Sequence, residues 1–211
     1  MLVLALDTAT PAVTAGVVTL NGDLEVLAER VTVDARAHGE LLTPHLLAAL
    51  ADTGRTLADV DAIVCGIGPG PFTGLRAGMA TAAALGHALG IPVHPVCTLD
   101  AIAAGTEGPL LVTTDARRKE LYWATYDDGA RVTSPAVGPP ATLPAAPARA
   151  GTTLYGDVLT MPHTGVEHPS PAGLVRAATG QLDRPARPLV PMYLRRPDAT
   201  VPGTRKRVTT P

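Results

Sequence analysis

The sequence predicts an α/β protein of two lobes, each a mixed sheet covered by helices, and three observations predict it. Strand-length apolar runs and helix-period segments follow one another through the first half in the order βββαβαβα. After Gly105 the pattern restarts, and an apolar strand again delivers an aspartate to a turn, Asp115 here as Asp7 before, which is a weak internal duplication. A chain of 211 residues, 46% hydrophobic and 17% charged, has the apolar surface to offset folding entropy. That length suits two lobes of about 100 residues each. The lobes are expected at residues 1–105 and 106–199, with residues 200–211 as a mobile tail.

Leu2 to Leu6 is an apolar run ending at Asp7-Thr8; Thr10-Pro11 turns it into a second run, Ala12 to Leu20. Asn21-Gly22 supplies the next hairpin turn, before a third strand from Val26 to Val33. Leu41, Leu42, His45, Leu46, Ala49 and Leu50 recur at helical spacing from about Glu40 to Thr53, with Gly54 at the C-terminal end and Pro44 near the first turn, where a bent entry is expected. Val60 to Ile67 reads as a strand, the Gly68-Pro69-Gly70-Pro71 run as a loop, and Gly74 to Leu89 as a helix capped by Thr73 and stopped by Gly90. Pro92 to Val96 is a short strand and Leu99 to Ala104 a short helix. In the second lobe, Leu110 to Thr114 and Glu120 to Tyr126 read as strands and Pro135 to Ala150, rich in proline, as a loop. Leu154 opens a further short strand, and Ser170 to Leu182 is a helix with Ser170 as cap and Pro171 in its first turn, before an extended segment from Pro185 to Tyr193.

Composition narrows function. Six aromatic residues in the whole chain and a formal charge of −2 argue against strong autonomous grip on RNA, which needs stacking platforms and a basic face. Cys65 and Cys97 lie in apolar segments and suggest no disulfide framework, so a reducing compartment is expected. The amino terminus meets Asp7 without a basic leader, and the uncharged stretch from Ala77 to Leu99 is interrupted by Gly86, Gly90, Pro92 and Pro95, so neither reads as a signal or membrane segment. A cytoplasmic, membrane-free protein is the expectation.

Three features could carry function. A carboxylate ending the first strand of each lobe, Asp7 beside Thr8 and Asp115, could position Mg2+ and a nucleotide phosphate across a cleft; alternatively each accepts N–H groups of its own turn. The run Gly66 to Arg76, with Gly68, Gly70, Thr73 and Arg76, combines flexible backbone with a helix start that favours anions, yet it lacks a P-loop lysine and reads equally well as a rigid structural loop. Gly74, Gly78, Ala82, Gly86 and Gly90 then fall on every fourth residue, a ridge almost without side chains. Glycine within a helix costs about 1 kcal/mol relative to alanine, so another backbone must come close to repay it, either this chain's own or a partner's. The histidines show no metal-ligand spacing and no nucleophile motif occurs, so no catalytic or metal residue is assigned.

Leu4 to Thr10 (LALDTAT), His38 to Pro44 (HGELLTP), Gly66 to Gly78 (GIGPGPFTGLRAG), Asp115 to Tyr122 (DARRKELY) and Pro191 to Arg195 (PMYLR) stand in the order found in the bacterial TsaB (YeaZ) family, which the sequence resembles over residues 1–199. The resemblance implies a two-lobed actin-like, Hsp70-like, sugar-kinase-like fold (ASKHA, ribonuclease H-like). It implies a non-catalytic partner subunit that activates the TsaD transferase in forming threonylcarbamoyladenosine at position 37 of tRNAs reading ANN codons. Implied partners are a TsaD-like paralogue, a TsaE-like ATPase and, for the chain alone, a second copy, with tRNA met only through the complex. ATP, Mg2+ and a metal belong to the partners, and no cofactor is bound tightly by this chain. Pairing is implied through the two first-lobe helices, which points to Leu41, Leu42, His45, Gly74, Gly78, Ala82 and Leu85; Gly78→Leu is then expected to abolish pairing and leave the monomer folded. Asp7, Thr8 and Asp115 become a vestigial nucleotide cleft. The competing reading from the residues is an ATP-dependent phosphotransferase or ATPase that uses Asp7 and Asp115.

Overall fold

The computed structural model describes residues 1–195. The expected tail, residues 200–211, and the last residues of the expected second lobe lie outside them. Strands β1 (Leu2–Asp7), β2 (Ala12–Asn21) and β3 (Asp23–Val33) form an antiparallel meander. Strands β4 (Ala62–Gly66) and β5 (Val93–Val96) add in parallel to its β1 side, giving the sheet order β3-β2-β1-β4-β5. Helices α1 (His38–Asp52) and α2 (Phe72–Leu89) make the crossovers and cover one face. Leu42, Leu46, Leu75 and Met79 from these helices meet Leu4, Leu6, Val13 and Ile63 from the strands in one apolar cluster.

The second sheet has the order β10-β6-β7-β8, built from β6 (Pro109–Asp115), β7 (Leu121–Asp127), β8 (Ala130–Arg131) and β10 (Ala148–Gly151), with β9 (Ala136–Gly138) also paired to β7. The division near residue 105 separates the sheets but not the helices. Helix α3 (Thr98–Ala103) lays Leu99 and Ile102 against Leu110, Val112 and Tyr126 of the second sheet. Helix α4 (Pro171–Ala178), from the expected second lobe, lays Leu174, Val175 and Ala178 against Val3, Ala5 and Val64, on the first sheet's other face. Each sheet therefore buries a face under a helix drawn from the other half of the chain.

Several boundaries differ from the sequence reading for local reasons. Helix α2 begins at Phe72, with Pro71 as its N-cap and no side chain capping it, so Thr73 lies in the first turn and does not cap. Helix α1 starts at His38, which places Pro44 beyond the first turn on the solvent side. Pro135 to Ala150 is not one loop: it holds β9, a short 3-10 turn at Pro140–Thr142 and the start of β10. Leu154 lies in a turn rather than a strand; the strand there is β10, paired in parallel with β6. Helix α4 ends at Ala178 and continues as a 3-10 turn, Thr179–Gln181, and the Ser170 hydroxyl caps it by accepting from Gly173 N at 3.0 Å.

Candidate functional site

Thr8 and the glycine ridge belong to one construction. The Thr8 hydroxyl donates to the carbonyl of Gly74 at 2.7 Å and accepts from Gly78 N at 3.0 Å, so it enters the turn of α2 that those two residues bound. A Cβ at Gly78 would overlap that hydroxyl, and one at Gly86 would overlap the Val93 side chain of β5. The close backbone approach that the ridge demands is thus to this chain's own β1–β2 turn and sheet. Of the residues expected to pair with a partner, Leu42, Gly74, Gly78 and Ala82 are buried in the chain's own packing. Leu41 and Leu85 are half-buried against the same core, and His45 holds Thr32 of β3 at 2.9 Å. The α1–α2 surface that remains open carries other residues: Thr43, Pro44, Leu47 and Ala51 on α1, and Ala80, Ala83, Ala84 and Ala88 on α2. Leu47 is 49% exposed.

Asp7 does not open onto a cleft. It is fully buried; Oδ1 accepts from Ala9 N at 2.8 Å and Oδ2 from the Thr98 hydroxyl at 2.6 Å. Thr98 in turn exchanges hydrogen bonds with the backbone of Gly68, 2.8 Å to its carbonyl and 3.2 Å from its N–H. Burial raises the Asp7 carboxyl to about 6, partly offset by the Thr98 hydroxyl, the Ala9 N–H and the charge of His38. The carboxylate is a strut joining β1, the glycine loop and the start of α3, and it could reach a cation only if that packing opened. Thr8 is likewise committed to α2. Asp115 is half-buried and accepts from Arg117 N at 2.8 Å, with the Arg117 Nε at 3.6 Å. Each aspartate accepts an N–H of its own turn, and Asp7 also accepts from Thr98.

The glycine loop is a packed element. Gly70 sits so close to the Ala9 carbonyl that a Cβ there would overlap it, and Ile67 accepts from Met192 N at 2.8 Å. That last bond brings the closing segment back across the molecule. Tyr193 stacks on Phe72 with ring centroids 5.6 Å apart, its hydroxyl accepts from Arg76 Nε at 3.1 Å, and the Arg76 guanidinium lies 3.9 Å over the Phe72 ring. Arg195 pairs with Glu120 at the β6–β7 turn. Between these groups lies a cleft of about 410 Å3, lined by residues of the glycine loop, the β6–β7 turn and the closing segment. The sequence reading singles out Arg76 but not Phe72 or Tyr193, whose pairing spans more than a hundred residues and leaves no local signal.

Neither thiol suits nucleophilic chemistry: both are buried, and burial pushes Cys97 up to about 12 and Cys65 further. Among the described residues no group of three His, Cys, Asp or Glu side chains could hold a metal ion, and no helix is long and apolar enough to cross a membrane.

The comparisons agree with this fold. A family model for TsaD, tRNA N6-adenosine threonylcarbamoyltransferase, matches residues 25–152. An uncharacterized protein of Mycobacterium tuberculosis is 62% identical over 199 residues, 93% of each chain. The tRNA threonylcarbamoyladenosine biosynthesis protein TsaB of Escherichia coli is 34% identical over 134 residues, 60% of this chain and 55% of that protein. The structure of YeaZ from Pseudomonas aeruginosa superimposes with a TM-score of 0.75 at 26% identity, covering 91% of this chain and all of that one. The chain belongs to the TsaB (YeaZ) family. Its two mixed sheets with covering helices are the actin-like, ribonuclease H-like fold that the resemblance implies.

Proposed function

We infer that this chain is a non-catalytic partner subunit that activates a TsaD-type transferase in forming threonylcarbamoyladenosine at position 37 of tRNAs reading ANN codons. Membership of the TsaB family supports the reading, because relatives carry that biosynthesis in their names. The observation that carries the pairing role is the open face of α1 and α2, where Leu47 and five exposed alanines leave apolar surface outside the chain's own core. Alanine-rich helix faces pack at short interaxial distance, which suits a helix-on-helix interface. The same face would serve a second copy when the chain is alone, and a TsaE-like ATPase would join the assembled pair. ATP, Mg2+ and the catalytic metal would reside on those partners. The enclosed position of Asp7 weighs against the phosphotransferase alternative.

Reconstituted transfer onto tRNA tests the role. The TsaD-type subunit with its adenylate-forming and ATPase partners should modify tRNA at least tenfold faster when this chain is present. Equal rates without it, or transfer by this chain alone, would overturn the reading.

A further inference from the structure

Strand β3 ends the first sheet, and among the described residues no strand lies along the edge it turns away from β2. That edge is eleven residues long, Asp23–Val33, and holds no proline or lysine. An unpaired edge leaves a row of backbone N–H and C=O groups open to a further strand, which proteins usually blunt with short strands, lysine, proline or a bulge. β3 has the bulge, where its register with β2 shifts at Val17/Val18, but from Ala28 to Val33 it pairs residue for residue with Val17 to Ala12. Within that regular stretch Glu29, Val31 and Val33 alternate onto one face. It is the face that α4 covers further in, since Glu29 pairs with Gly16, where a Cβ would overlap Pro171. Val31 is 44% exposed and Val33 62%. Beside them the segment that leads into α4, residues 165–170, forms the other wall of a groove of about 460 Å3, with Val166 and Pro169 as its apolar groups.

The polar groups of the groove say what would fill it. Its charges are of one sign: Glu29 and Glu167 line it, and among the described residues no lysine or arginine does. Arg30, next along the strand, points to the opposite face and pairs with Asp52 of α1. His168 lines the groove with a buried Nδ1 that has no hydrogen-bond partner, and burial pulls its ring below the usual histidine range, so it adds no cation at neutral pH. We propose that β3 is a docking edge for an extended segment of another protein, one that presents two β-branched residues and then a lysine or arginine at alternate positions. Added antiparallel, as the β1–β2–β3 meander continues, such a segment sets its two apolar side chains opposite Val33 and Val31 and its cation opposite Glu29. The groove then receives one face of a sixth strand. The inference is independent of the pairing role, whose face lies on α1 and α2.

Titration of the isotope-labelled full chain with the acetylated, amidated peptide Thr-Val-Thr-Val-Thr-Arg-Thr, followed by nuclear magnetic resonance, is the test. The peptide should bind with a dissociation constant below about 1 mM. It should shift the amide signals of residues 28–33 and slow their hydrogen exchange. Moving the arginine one place toward the amino terminus turns it to the other face of the added strand and should weaken binding at least tenfold, as should replacing it with glutamate. Glu29→Lys should weaken the parent peptide at least tenfold and strengthen the glutamate peptide, an exchange of preference that loss of folding would not give. No shift with about 5 mM peptide, shifts centred elsewhere, or equal affinity for the three peptides would each overturn the proposal. Slowed exchange at residues 28–33 that grows with protein concentration and needs no peptide would assign the edge to a second copy and overturn it as well.

Discussion

A single hydroxyl, that of Thr8, takes over both hydrogen-bonding groups that Gly74 and Gly78 expose at one turn of α2. The helix can come that close only without a Cβ at Gly78, so Gly78→Ala should cost about 1 to 3 kcal/mol as an overpacked contact. Urea unfolding would read it, and an unchanged midpoint would remove the contact from the account. The larger Gly78→Leu should unfold the monomer rather than simply prevent pairing. Asp7 makes a prediction with a sign. Its carboxyl titrates near 6 in the fold against 3.8 when free, so the folded chain holds a proton that the unfolded chain has already lost. The stability this contributes is full below about pH 4 and is gone as pH rises past 6. Between pH 5 and pH 8 the parent should therefore lose about 1 kcal/mol more than Asp7→Asn, whose amide cannot ionise. Parallel pH profiles would contradict it. The sequence shows Asp7, Thr8 and the ridge clearly, as residues that need a reason. Which backbone meets the ridge depends on contacts such as Thr8 to Gly78, seventy residues apart, and no local pattern encodes that.

The elements most legible in the sequence are those with their own punctuation. Asn21-Gly22 fixes the β2–β3 hairpin, and Gly90, in the left-handed conformation at φ 67°, ends α2 where the reading stops it. Ser170 caps α4 as its position before Pro171 suggests, so Ser170→Ala should lower stability by about 1 kcal/mol. Strands β9 and β10 are three and four residues long and are held by pairing to β7 and β6. Their own residues, Ala136–Gly138 and Ala148–Gly151, carry too little pattern to stand out from a proline-rich stretch. The outward face of the first-lobe helices is not legible in the sequence, because the alanines exposed on it, Ala80, Ala83, Ala84 and Ala88, do not differ in type from the buried Ala82. On that face Leu47→Glu and Ala84→Glu should leave unfolding within about 0.5 kcal/mol of the parent and weaken association at least a hundredfold. Sedimentation equilibrium alongside thermal melts would show both effects.

At the scale of the molecule the two halves are interlocked rather than joined in series. Helix α3 serves the second sheet, α4 serves the first, and the Tyr126 hydroxyl reaches back to donate to Asp100 at 2.8 Å, where Arg131 also pairs at 3.2 Å. The alternation of strands and helices announces two lobes, whereas this exchange follows from which apolar helix faces fit which sheet and lies beyond any single segment. This leaves the outward face of α1 and α2 outside the chain's own cores, and a transferase is its proposed partner. Light scattering after size exclusion, on this chain alone and mixed with the TsaD homologue of the same organism, tests this most directly. A new species at the summed mass, lost with Leu47→Glu, is the predicted result; two unchanged species in the mixture would contradict it.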